Sequence, residues 1–291
     1  MRVRVPASSA NLGPGFDCFG IAWRLYNEIE FNIADRLEIS GCDDRFQNAD
    51  NLAYKAYSMT LERCGIKACG VNIRFAKTDI PVSRGLGSSS ALIVGGVLAA
   101  NALYDLCLDN DALLEIATAA EGHPDNVAPA LLGGLTASTM VNGAPVTVHF
   151  PLSDKLHFAA LVPPFELSTS VARSVLPKSL SREDAIFNVS RAALALNALG
   201  SGDCAMLSMG MEDRMHQPFR LPLIDGWEKA KTLAERCGGK AMCISGAGST
   251  LLCASDEEGF AVRVGEAVDR EMTGWRVIPL FADFEGAKAF I

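Results

Sequence analysis

Pro81-Val82-Ser83-Arg84-Gly85-Leu86-Gly87-Ser88-Ser89-Ser90-Ala91 runs directly into an apolar, helix-forming stretch, Leu92 to Leu103. A glycine-rich loop that opens onto a helix leaves backbone N–H groups unpaired at the positive end of the helix dipole, where an anion is favoured. Gly85 and Gly87 permit close backbone approach, and the serine hydroxyls can bond phosphate oxygens or ligate Mg²⁺. The segment reads as a nucleotide phosphate cradle; the competing reading is a loop with an ordinary serine N-cap. No lysine follows the last glycine, so this is not a GxxxxGK[ST] loop, and the GxGxxG pattern is also absent.

Outward from this loop the chain alternates strands and helices. Period-two patterns mark strands at 2–5, 28–33, 37–39, 71–75 and 146–150, and helical spacing marks 51–64 and 111–120, the latter capped by Asp109 or Asn110. Pro151 and Ser153-Asp154-Lys155 mark a boundary, which predicts units 1–152 and 153–291. Beyond it, strands are expected at 156–162, 240–245, 249–254 and 275–282. Helices are expected at 169–176, 183–199, 203–215, 225–237 and 257–272. With the inserted helices set aside, the second unit is β-α-β-β-α-β. The fold class is α+β.

Composition narrows the function. The 291 residues are 49% hydrophobic and carry a net charge of −8, which excludes the basic footprint of a nucleic-acid binder. Nine cysteines form no CxxC pair, so reduced thiols and a cytoplasmic location are expected. Met1–Val5 is charged and strand-like, unlike a signal peptide. The apolar run 91–103 is too short to span a membrane.

Three further clusters carry polar groups on tight turns. Asn11-Leu12-Gly13-Pro14-Gly15-Phe16-Asp17 offers a carboxylate for an ammonium or hydroxyl, although the same residues make an ordinary turn. Glu121-Gly122-His123-Pro124-Asp125-Asn126 offers oxygen ligands for Mg²⁺, or simply a helix end followed by a proline-terminated loop. Ser245-Gly246-Ala247-Gly248-Ser249 is a hairpin turn by spacing and could also pack beside phosphates. Thr169 and Arg173 share a helix face, and Arg173 and Arg220 are candidates for a bidentate grip on a carboxylate or for surface ion pairs.

Ser9 to Asp17, Gly85 to Ser89 and Ser245 to Ser249, in that order, resemble the three signatures of the GHMP kinase superfamily. The first of them, with His123-Pro124-Asp125-Asn126-Val127-Ala128-Pro129, Thr169, Arg173 and Gln217-Pro218-Phe219-Arg220, resembles the homoserine kinases within it. The resemblance spans nearly the whole chain. It implies a two-domain GHMP kinase fold, with an N-terminal domain like domain 2 of ribosomal protein S5 and a ferredoxin-like C-terminal domain. It implies phosphorylation of the L-homoserine hydroxyl by ATP with Mg²⁺, in threonine biosynthesis, by a homodimer.

Carried over residue by residue, the resemblance implies that Pro81, Arg84, Gly85, Leu86, Gly87, Ser88, Ser89 and Ser90 wrap the ATP phosphates, with Asn51 toward the adenine. Ser89 and Glu121 would reach the metal. Asn11, Asp17, His123, Asn126, Thr169, Arg173 and Arg220 would line the homoserine site, Asp17 meeting the ammonium and the arginines the carboxylate. Asn126, Asp125 and Arg173 are the catalytic candidates. An amide cannot serve as a base, so catalysis without a strong protein base is expected, with Asp125 as the rival base. Ser249 stands where proline is frequent in the family, and the loop from Glu121 to Asn126 is shorter than in some relatives.

Overall fold

In the computed structural model, which describes residues 1–290, the first strand, β1 (Arg2–Asn11), turns into a second, β2 (Gly15–Ala34), and pairs with it antiparallel from Arg2↔Glu30 to Asn11↔Gly15. The sequence pattern predicts only the outer ends of this long hairpin. Alternation survives from Asn27 to Phe31, where one face meets solvent. It vanishes over Val5–Asn11 and Phe19–Trp23, where successive residues are all buried.

The chain continues through β3 (Glu38–Ser40), α1 (Leu52–Arg63), β4 (Gly70–Thr78), α2 (Ser88–Leu103), α3 (Asn110–Glu121), α4 (Pro124–Leu132), β5 (Leu135–Val141) and β6 (Ala144–Phe150). The outer half of β2 pairs with β4 and its inner half with β5, which forms a hairpin with β6. Helices α2 and α4 pack on β1 and β2. Residues 124–132, expected to leave α3 as a proline-terminated loop and an apolar stretch, are instead helical. Pro124 occupies the first turn, where its missing N–H costs nothing. Pro129, inside α4, gives the Asp125 carbonyl no helical donor, and that carbonyl lies against Gly20, where any side chain would collide.

The second part comprises β7 (His157–Val162), α5 (Thr169–Ser174), α6 (Arg182–Ser201), α7 (Cys204–Gly210), α8 (Gln217–Arg220), α9 (Trp227–Arg236), β8 (Ala241–Ile244), β9 (Leu251–Ser255), α10 (Phe260–Glu271) and β10 (Arg276–Leu280). Its sheet has the order β10-β7-β9-β8, all antiparallel, as the β-α-β-β-α-β pattern requires. The helix expected over 203–215 ends at Gly210, because Asp213 collects the backbone N–H groups of Met215, His216 and Gln217 into a turn. Alternate β7 residues point opposite ways. Ala159 and Leu161 face α9 and α10, while Phe158, Ala160 and Val162 join the core that also holds Trp23 and Ile29. The last strand, β11 (Lys288–Phe290), crosses back and pairs with β1, so a division at 152 leaves this strand outside the unit whose sheet it completes.

Candidate active site

A cavity of about 380 Å³ lies where the three signature segments meet, and all of them reach it. The 81–87 loop delivers α2 into its wall. Gly85 and Gly87 hold left-handed φ values of 79° and 69°. At Gly85 an added Cβ would lie 2.8 Å from the Gly248 carbonyl oxygen, so glycine is required by both conformation and space. The α2 N-terminus has no side-chain cap, which leaves its first N–H groups for a ligand. The N-cap is Gly87 and not a serine. Ser89 and Ser90 donate their hydroxyls to the two oxygens of Glu121, at 2.8 and 2.9 Å. An all-oxygen donor pair, Ser89 and Glu121, thus sits beside a helix N-terminus, a set suited to a hard cation that also binds phosphate.

Elsewhere on the cavity wall carboxylates and guanidiniums come together. Asn11 and Asp17 both adopt left-handed φ, 71° and 53°, on either side of the β1–β2 turn. The Asn11 side chain donates to Gly246 O at 2.7 Å and accepts from Asp17 N at 2.9 Å, so the first and third signature loops hold each other. Asp17 faces a guanidinium: Arg173 Nη1 and Nη2 donate to its two oxygens at 3.1 and 2.7 Å. This hydrogen bond raises the Arg173 pKa above its ordinary value. Residues expected to bind opposite ends of one substrate are thus paired with each other across the site.

Arg220 differs. It is 1% exposed and forms no ion pair with a carboxylate among the described residues. Its Nε donates to Ala172 O at 3.0 Å, and its guanidinium lies 5.1 Å from the centre of the Phe16 ring. Burial first, and then the Arg173 charge, pull its pKa down to about 10. It remains a cation at neutral pH, and a buried cation without an anion is a site for one.

At the start of α4, His123 Nδ1 bonds Asp125 Oδ1 at 2.5 Å, and Asn126 Nδ2 donates to the same oxygen at 3.4 Å. The bond to Asp125 raises the His123 pKa against the opposing effect of burial. Asn126 Oδ1 accepts from Ser8 at 2.9 Å. Asp17, His123 and Asp125 bring one polar atom each within 4.8 Å of one another.

Most expected residues reach the cavity, among them Arg84, Ser88 and the exposed Thr169. Pro81 and Leu86 are buried and do not line it; Leu86 contributes a backbone carbonyl that accepts from Ser8 N. Asn51 lines the wall, but its amide accepts from Ala53 N and donates to Phe46 O, which caps α1 rather than reaching outward. Ser8 and His216 escape the motif reading. Both are fully buried, which the order of residues does not show, and the sequence signal for Ser8 was only its place beside the first signature.

A family model, GHMP kinases N terminal domain, matches residues 51–134. The chain is 42% identical over 286 residues to the homoserine kinase of Clostridium botulinum (strain Okra / Type B1), covering 97% of this chain and 96% of that protein. The crystal structure of homoserine kinase from Cytophaga hutchinsonii aligns with a TM-score of 0.89 at 29% identity, covering 100% of this chain and 97% of that one. The mevalonate kinase of L. major shares the fold, with a TM-score of 0.74 at 15% identity over 100% of this chain and 97% of that one.

Proposed function

We propose, for a chain that belongs to the homoserine kinase family of the GHMP kinases, residue roles in the transfer of a phosphoryl group from ATP to the side-chain hydroxyl of L-homoserine. The observation that carries the assignment is Arg220, a buried cation on the cavity wall without a carboxylate partner. A substrate carboxylate satisfies it, and the substrate ammonium falls to Asp17 and the acidic group around Asp125. Arg173 then exchanges an internal carboxylate for that of the substrate. Mevalonate has a carboxylate but no ammonium, which disfavours it beside two aspartates.

Phosphoryl transfer needs positioning and charge stabilisation more than covalent help. The loop from Arg84 to Ser90 and the α2 N-terminus hold the triphosphate. Mg²⁺ fits the Ser89–Glu121 pair and, when bound, supplies neutralising charge at the phosphate oxygens. Asn126, fixed by Ser8 and Asp125, orients the hydroxyl. Asp125 is committed to His123 and Asn126, which supports passage of the hydroxyl proton to the phosphoryl group itself.

This reading includes a homodimer in the cytoplasm. All nine cysteines are free, and no helix among the described residues is long and apolar enough to cross a membrane. The test of function is coupled ADP release from Mg·ATP with L-homoserine, beside L-serine, L-threonine and mevalonate. Turnover with homoserine above the others is expected. Preference for mevalonate would discard the roles given to Asp17, Arg173 and Arg220.

A further inference from the structure

His216 lies immediately before α8 and is wholly buried behind the cavity wall, where it contacts both the Gly13 turn and the cavity-lining Arg220. Its Nε2 is 2.7 Å from the Gly13 carbonyl oxygen, which can only accept, so Nε2 carries the proton. The neutral ring then has an unprotonated Nδ1, and that atom faces Arg220 Nη1 at 3.4 Å. Burial lowers the His216 pKa and keeps the ring neutral. The charged groups facing it are Asp213, whose Oδ2 lies 3.7 Å from Nε2, Arg220, and Asp17 farther off.

The bonding of Arg220 gives this contact a purpose. Nε is engaged by Ala172 O, and Nη1 by Gly246 O at 3.4 Å and by His216 Nδ1. Nη2 has no acceptor among the described residues, and Arg220 lines the cavity. The guanidinium is therefore held along one edge and open along the other. The His216 ring also packs on Phe16, at 5.3 Å between centroids, and Phe16 lies beneath both guanidiniums, next to Asp17.

We propose that His216 is a positioning residue for the amino-acid substrate. Its neutral imidazole aims Nη2 of Arg220 at the substrate carboxylate and ties that arginine to the Gly13 turn, beyond which Asp17 receives the ammonium. One buried ring thus sets the spacing between the two sites that read the two ends of the amino acid. The proposal rests on the assignment of Arg220 to the homoserine carboxylate.

The experiment compares steady-state kinetics of the full chain, wild type, His216→Leu, His216→Gln and Arg220→Lys, for both substrates. Leucine removes the acceptor. The expected result is a rise in the KM for L-homoserine of about tenfold, the effect of losing one hydrogen bond to a charged group, with kcat and the KM for ATP within about twofold. Glutamine, which can donate to Gly13 and accept from Arg220, restores most of the loss. An unchanged homoserine KM in the leucine variant overturns the proposal, as does a parallel loss in both KM values and kcat, which would mark a merely structural side chain. Arg220→Lys with an unchanged homoserine KM would fell the Arg220 assignment itself, whatever His216 does. The wild type gives a second reading should the variants not fold. Nitrogen NMR of His216 at neutral pH should show a neutral ring protonated at Nε2, and an imidazolium or an Nδ1–H ring contradicts the proposal.

Discussion

Two carboxylates in the cleft, Asp17 and Asp125, each have a basic partner, and the difference between those partners decides their roles. Asp17 holds Arg173, a half-exposed side chain that a substrate can displace. Asp125 is 2% exposed and holds His123, an intimate pair at the head of α4. If Asp125 orients rather than abstracts, Asp125→Asn lowers kcat by about tenfold at saturating substrates; a fall beyond about 10³-fold, within the range of a positioned acid–base group, identifies it as the base. The same pair predicts a pH dependence of stability. The folded-state pKa of His123 is raised above 6.5 by Asp125, so its stabilising contribution is complete below that unfolded value and is lost as pH rises through the folded one. Urea midpoints of wild type and His123→Gln should differ at acidic pH and converge as pH rises past that window, and a constant difference removes the idea. At this scale the sequence was informative where a motif carries a polar side chain to the cavity wall, as with Asn126, and silent where partners are distant. Nothing in the order of residues shows that Asp17 meets Arg173, because that contact depends on how two sheets stack.

Element by element, legibility followed solvent exposure. The amphipathic α10 and the half-solvated end of β2 were readable because water selects one face. The inner halves of β1 and β2 and helix α4 were not, since elements buried on all sides carry no period, and Pro124 and Pro129 disguised a helix as a loop. The glycine loop was readable because glycine marks its conformation directly. That loop yields a prediction. The Ser245 side chain donates to Gly85 O at 2.6 Å, and Thr250 N donates to Arg84 O at 3.0 Å, so the third signature and the residue after it clamp the glycine loop. Gly85→Ala forces a side chain into left-handed φ and against this clamp, costing about 1–3 kcal/mol. Thermal melts should show a lower midpoint, and kinetics a KM for ATP raised by about tenfold with the homoserine KM little changed. An alanine variant with native ATP kinetics would show that the loop is not held as described.

For the whole molecule, the question is whether the two units predicted from the boundary near Pro151 can exist apart. Their packing argues for interdependence. Trp23, fully buried on β2, sits 5.1 Å from Phe158 of β7, and both belong to one core with Ala160, Leu199, Leu252 and Leu280. The segment after β10 stitches the same strand from outside. Arg24 N donates to Phe281 O at 2.7 Å, Asp283 N to Ala22 O at 2.9 Å, and β11 then pairs with β1. A sequence reading by composition finds the proline and the charged turn but not this return, because three short strand residues near the C-terminus carry almost no pattern. A fragment of residues 1–152 would expose Trp23 and leave the outer edge of β1 unpaired, losing apolar burial at about 25 cal/mol per Å² in a domain whose net stability is only about 5–15 kcal/mol. The expected outcome is a fragment without a cooperative urea transition and with strong ANS binding. The full chain should unfold in one step by far-UV circular dichroism and by tryptophan fluorescence, which samples Trp23 in one unit and Trp227 and Trp275 in the other. A sharp, independent transition of the fragment would mean that the core shared across the sheets contributes little, and that the catalytic cleft joins two separately stable bodies rather than lying in a seam that folds as one.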